Sequence, residues 1–162
     1  MIRDVEFKDS IAIADIYNHY IQNSTCTFEE ERLSEREMCS RITAVIEHGM
    51  PWLVYEHEGQ IVGYCYAKPW NSRSAYRFTV ESSVYVDADS PVSGVGSLLY
   101  QHLFLRLDIL DIKNVMSVIT LPNDQSVAFH NKMGMEQVGH FKRMGFKFGK
   151  WLDVGYWQKE LR

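Results

Sequence analysis

The stretch Phe78-Thr79-Val80-Glu81-Ser82-Ser83-Val84-Tyr85-Val86, a turn-rich segment from Asp87, and then Ser93-Gly94-Val95-Gly96-Ser97 decide how this chain is read. The first part is β-branched and aromatic, without Gly or Pro, as a strand requires. Asp87, Asp89, Ser90 and Pro91 then break it. From Gly94, Leu98, Leu99, Leu103 and Leu107 recur at helical spacing, which predicts a helix to about Leu110 with those leucines on one side. Val115 to Leu121 reads as a buried strand. Pro122-Asn123-Asp124 leads into a short helix, Gln125 to Met133, closed by Gly134. The central unit is therefore strand, glycine loop, helix, strand, helix.

Outward from this unit the alternation continues. Ile2 to Phe7 reads as a first strand. Asp9 or Ser10 caps a helix carrying Ile13, Ile16, Tyr17 and Tyr20. Ser24 to Phe28 has no helical period and reads as an ordered loop. Ser34 and Glu37 form a capping box for a helix to Glu47. Trp52 to Glu56 and Ile61 to Ala67 flank the Glu58-Gly59 turn as a hairpin, and Glu136 to Gln158 reads as two strands around Phe146 to Lys150. The fold class is α+β, a mixed central β-sheet flanked by helices. With 162 residues and no linker or repeat, the expectation is a single domain over 1–162.

Composition removes several function classes. A net charge of −4 makes nucleic acid or an anionic membrane a poor default partner. The basic and aromatic stretch Phe141 to Lys150 is explained as well by a strand pair with aromatics inward and lysines outward. Cys26, Cys39 and Cys65 are odd in number and far apart, with no Cys/His pairing, so neither a disulfide framework nor a metal site is expected. No signal peptide and no long apolar run is seen, and the expected location is the cytoplasm, with reduced thiols.

The glycine loop admits two readings. Ser93, Gly94, Val95, Gly96 and Ser97 form either a plain strand-to-helix turn or a phosphate cradle, because a helix start offers unpaired N–H groups and a positive dipole end. No Lys-Ser/Thr follows, and Leu99 stands where a GxGxxG motif has its third glycine, so neither nucleotide motif is met. Downstream, Asn123, Ser126, His130 and Gly134 fall at offsets that share one helical face. Two small polar groups and an imidazole there suggest a site rather than core.

The glycine loop, its spacing to Asn123, and the short helix ending in Gly134 resemble the Gcn5-related N-acetyltransferase (GNAT) superfamily over nearly the whole chain. The resemblance is closer to its phosphinothricin/methionine sulfoximine N-acetyltransferase branch. Tyr17-Asn18-His19-Tyr20, Ser24-Thr25, Thr27-Phe28-Glu29, Ala75-Tyr76-Arg77, Glu81 to Val86, Leu121 to Asp124, Ser126 to His130, Trp151 and Asp153 to Gln158 carry it. The resemblance implies an acyl-CoA N-acyltransferase fold, acetyl-CoA as co-substrate, and acetylation of the α-amine of a small amino acid or analogue by direct attack. It implies a homodimer, with Lys150 to Leu161 as a plausible contact.

Residue roles follow from the chemistry and the resemblance together. Val84, Tyr85 and Val86 would pair with the pantetheine and polarise the thioester carbonyl, while Ser93 to Ser97, Asn123 and Ser126 complete the cofactor site. The resemblance sets Glu81 at the branch's catalytic glutamate and His130 where many superfamily members carry a proton-donating tyrosine. An imidazole can act as acid or base near neutrality. Arg73 and Arg77, flanking Tyr76, suit a substrate carboxylate; Phe28, Glu29, Trp70 and Tyr76 would surround its side chain. Two alternatives stay open, a peptide N-terminus or other amine as substrate and a CoA-binding regulator without turnover.

The superfamily loop usually carries Arg or Gln three residues before its first glycine, and here that place is Pro91, in a segment with two Asp and no basic residue. Proline also lacks an N–H. Pro91→Arg is expected to tighten CoA binding in a direct titration, and an unchanged or weaker affinity overturns that reading.

Overall fold

The computed structural model describes residues 1–162. Its elements in chain order are β1 (Ile2–Asp4), α1 (Ser10–Asn23), α2 (Glu35–Glu47), β2 (Trp52–His57), β3 (Gln60–Pro69), β4 (Thr79–Val86), α3 (Val95–Ile109), β5 (Asn114–Leu121), α4 (Asp124–Lys132), β6 (Glu136–Lys147) and β7 (Lys150–Glu160). Seven strands form one sheet in the order β1-β2-β3-β4-β5-β7-β6. Only β4 and β5 run parallel. The expected α+β class with a mixed sheet is what the chain adopts.

Two apolar layers hold the sheet from opposite faces. On one, Val95, Leu99, Leu103 and Leu107 of α3 pack on Leu53, Cys65, Ala67, Val80 and Val115. On the other, α1 and α2 bring Ile13, Ile16, Tyr17, Met38 and Ile42 against Trp52, Val54 and Tyr64. Gly63 sets how close α3 lies, since a Cβ there would meet Val95 Cγ1 at 2.8 Å. That contact seats the start of α3, and with it the glycine loop, on the sheet.

Three expectations are corrected. The first strand ends at Asp4, because the chain turns into a single 3-10 turn, Phe7–Asp9. Asp9 does not cap α1 through its side chain; its carboxylate accepts from the Arg3 guanidinium at 2.8 and 2.9 Å and from Glu6 N. Leu98 is 38% exposed and does not share the buried face of Leu99, Leu103 and Leu107. The Ser34/Glu37 capping box and the left-handed Gly134 after α4 are present as expected.

The ordered loop after α1 is fastened from the far end of the chain. This reverses the expected pattern of aromatics inward and lysines outward over Phe141 to Lys150: Phe141, Phe146 and Phe148 are exposed, whereas Lys147 is 1% exposed because its Nζ donates to Ser24 O and Thr27 O, each at 2.8 Å. Burial pushes the Lys147 pKa down, while the nearby Glu30 and Glu29 carboxylates pull it up. The ring of Phe28 lies against Gly145. Lys147→Met leaves two carbonyls without a donor and is expected to cost about 1–3 kcal/mol, read by denaturant unfolding. A variant as stable as wild type would show that the lysine does not hold the loop.

Candidate functional site

β4 and β5 pair over only three registers, Thr79↔Asn114, Val80↔Val115 and Glu81↔Met116, and then diverge. β4 remains paired to β3 on its other side through Gly63↔Val86. The edge of β4 toward β5 therefore loses its ladder from Ser82 onward. A cleft of about 410 Å³ opens there, between Ser82–Val86 on one side and Ser117–Thr120 on the other. The glycine loop, α4 and Cys26 close its remaining walls.

The start of α3 points its free donors at this cleft. Gly94 adopts φ 76°, a left-handed conformation that favours glycine, and α3 begins without a side-chain cap. The first intrahelical backbone bond of α3 is Leu98 N to Gly94 O, so the N–H groups of Val95, Gly96 and Ser97 precede the ladder. By contrast, Asn123 caps α4, accepting from Ser126 N at 3.1 Å. Uncapped N–H groups beside a bare strand edge fit a phosphate-bearing, extended ligand, which is the shape and charge of CoA.

His130 is 6% exposed and lies in the cleft wall. Its Nδ1 is 2.7 Å from Ser126 O, and a carbonyl can only accept, so Nδ1 carries the proton and Nε2 the lone pair. Burial pushes the His130 pKa below its ordinary 6.5, opposed by the Ser126 bond. The ring is thus neutral at pH 7 and holds Nε2 in acceptor form, 3.5 Å from the Tyr100 hydroxyl.

Glu81 is not in the cleft wall with His130. Side chains alternate along β4: Val80 and Ser82 meet α3, whereas Glu81 and Tyr85 lie on the face of α1 and α2. Glu81 stands opposite Lys68, with Nζ–Oε2 at 3.2 Å. Glu81 and His130 therefore flank the divergence of β4 and β5 from opposite faces of the sheet.

The expected substrate residues do not converge in one chain. Arg73 and Arg77 lie on the exposed segment around the 3-10 turn Ser74–Tyr76. The Arg77 guanidinium stacks 4.4 Å from the Phe78 ring and donates to Ser74 O. Tyr76 is on the same turn, half exposed, and Trp70 packs edge-on against Tyr156. Glu29 is committed elsewhere, accepting from both Arg41 Nη atoms and from the Tyr17 hydroxyl. The Arg41 bond, with Tyr17 assisting, holds its pKa low against burial. Glu29 in this chain is an anchor of the loop rather than a free carboxylate.

Several wall residues escaped the sequence reading. Tyr100, Ser82 and Ser117 form a buried hydroxyl cluster, and Phe129 stacks near Gly96. Tyr20, read as core, donates to Val86 O at the cleft. Cys26 reaches the cleft, its Sγ 3.5 Å from Asn123 Nδ2. Tyr100 falls one residue after Leu99 in an apolar helix, where nothing in the pattern marks a hydroxyl as functional.

Comparison with known proteins bears on this geometry. The family model "Acetyltransferase (GNAT) domain" matches residues 2–155. A phosphinothricin N-acetyltransferase of Streptomyces viridochromogenes is 42% identical over 160 residues, covering 99% of this chain and 87% of the relative. An L-methionine sulfoximine/L-methionine sulfone acetyltransferase of Pseudomonas paraeruginosa is 32% identical, covering 99% and 94%. The crystal structure of a GNAT superfamily phosphinothricin acetyltransferase from Sinorhizobium meliloti, in complex with AcCoA, superposes with TM-score 0.95 at 34% identity, covering 99% and 88%.

Proposed function

The chain belongs to the GNAT acetyltransferase family, and on that premise we propose that it acetylates the α-amine of a small amino acid or amino-acid analogue. Phosphinothricin and methionine sulfoximine or sulfone, which relatives' names carry, are the analogues to test first. The observation that supports the reading is the divergence of β4 and β5 with a carboxylate on one face and an imidazole on the other. An acyl donor held between the strands is then reachable from both sides.

Acetyl-CoA supplies an activated thioester. The N–H groups of Val95, Gly96 and Ser97 hold its phosphates, and the bare edge of β4 from Ser82 to Val86 holds its pantetheine. A backbone N–H around Tyr85 and Val86 polarises the carbonyl, acting where charge develops. Glu81, on the α1/α2 face, takes the proton of the substrate ammonium directly or through water. His130, on the α3 face with its Nδ1–H given to Ser126 O, is the auxiliary group on the thiolate side. Arg73 and Arg77 bind the substrate carboxylate, with Phe28, Tyr76 and Trp70 near its side chain. Leaving its face means that the Arg77 guanidinium gives up its stacking on Phe78 when substrate binds. Three unpaired thiols suit a reducing cytoplasm.

A homodimer through the C-terminal hairpin belongs to the same reading. β6 is an edge strand, and it exposes Val138, Phe141, Met144 and Phe146, with Trp151 beside them on β7. Soluble chains seldom leave such a patch uncovered, and a second copy covers it while bringing another wall toward the substrate segment. Phe146→Glu is expected to convert a dimer to a monomer in sedimentation; a wild-type protein that sediments as a monomer removes this part of the proposal.

Thiol release from acetyl-CoA with a panel of free amino acids, their sulfoximine and phosphinic analogues, and short peptides tests the substrate class. Turnover confined to peptides, or absent throughout, overturns it. Glu81→Gln is expected to lower kcat about a hundredfold with KM little changed. A variant with wild-type kcat across the pH range takes Glu81 out of the mechanism.

A further inference from the structure

Four polar groups meet at the apex of the cleft, where β4 and β5 diverge. The register after Glu81↔Met116 would be Ser82 against Ser117, and there the strands join by side chains: Ser82 Oγ and Ser117 Oγ are 2.9 Å apart. Ser82 Oγ also reaches Met116 O at 3.4 Å. The Tyr100 hydroxyl, on a side chain with no exposed surface, sits 3.1 Å from Ser82 Oγ, 3.3 Å from Ser117 Oγ and 3.5 Å from His130 Nε2.

Proton counting gives this cluster a direction. His130 Nδ1–H is spent on Ser126 O, which makes Nε2 an acceptor. The only hydroxyl bonded to Nε2 is that of Tyr100, so its single proton points at the imidazole. Its oxygen then accepts from Ser82, whose own oxygen accepts from Ser117. The Tyr100 proton points toward His130, as does that of Ser82 on its 3.1 Å contact to Tyr100, while Ser82 Oγ also has Met116 O and Ser117 Oγ also has Met135 Sδ within reach as acceptors. The opposite polarity would leave the lone pair of Nε2 buried without a donor, at a cost of about 1–3 kcal/mol.

We propose that Tyr100 is a positioning residue for acetyl transfer: held by Ser82 and Ser117 at the apex of the cleft, its hydroxyl donates to Nε2 and, with Ser126 O on Nδ1–H, holds the His130 ring in one orientation. This rests on the reading of His130 as the auxiliary group of the reaction. It adds the device that keeps the ring in one orientation. The two serines have a double part, closing the ladder where the strands separate and orienting the phenol.

Ring 15N spectra of histidine-labelled protein test this, with His130→Gln assigning the resonances. In the wild type His130 is expected as the Nδ1–H tautomer with a hydrogen-bonded Nε2. In Tyr100→Phe the Nε2 resonance is expected to move toward that of an unbonded imine nitrogen. The same variant is expected to lose about tenfold in kcat with KM for acetyl-CoA within about twofold. A wild-type Nε2–H tautomer, an unmoved resonance in Tyr100→Phe, or an unchanged kcat in that variant each overturn the proposal. Should Tyr100→Phe fail to fold, the wild-type spectrum and the Ser82→Ala/Ser117→Ala protein decide by the same resonance. An unchanged kcat in His130→Gln instead overturns the role of His130, a failure separate from the tautomer result.

Discussion

Everything in the site depends on β4 and β5 ceasing to pair. Parallel strands ordinarily stay hydrogen-bonded along their length, because each unpaired N–H or C=O in a sheet interior carries a cost. Here the ladder stops after Glu81↔Met116 and leaves one edge of β4 bare. A bare edge inside a protein is a binding surface for an extended polar ligand, which restores the lost bonds. In the function proposed above, the cofactor takes the place of that missing stretch of ladder.

The rest of the fold makes that opening affordable. β4 stays bonded to β3 along its other edge, and β5 stays bonded to β7, so neither strand is free to collapse into the gap. α3 is seated against Gly63 from one face, while Tyr17 and Tyr20 pack against Tyr85 from the other, with ring centroids 5.1 and 5.3 Å apart. Tyr20 also satisfies Val86 O at the end of the strand. The hydroxyl cluster of Tyr100, Ser82 and Ser117 closes the apex. Because the opening runs through the sheet, groups on opposite faces of β4 both border it, which is how a carboxylate and an imidazole on opposite faces come to flank it.

Local pattern carried much of this. The strand, glycine loop and helix from Phe78 to Leu110 were legible because strand composition, breakers and apolar spacing are short-range signals. The capping box at Ser34 and the Gly134 stop are likewise local. Pattern misled at Leu98, which continues the leucine run yet faces outward, since α3 also carries Leu105 and Ile109 on its exposed side and so does not announce which face meets the sheet. It misled again at Asp9, where a helix-start residue is taken by Arg3 across the sheet edge.

The sequence by itself determined the fold class and the family resemblance, and it marked the glycine loop and His130 as candidates by residue type and spacing, because a helix start or an imidazole has the same chemistry wherever it falls. Glu81 became a candidate through the resemblance, since a strand glutamate is by itself an ordinary residue. Only the tertiary structure decided where these groups stand. It put Glu81 and His130 on opposite faces, committed Glu29 to Arg41 and Tyr17, left Arg73 and Arg77 outside the cleft, and joined Tyr100 to His130. These are long-range pairings, set by strand register and by which side chains find partners after the layers close, and neither is written in any local stretch of the chain.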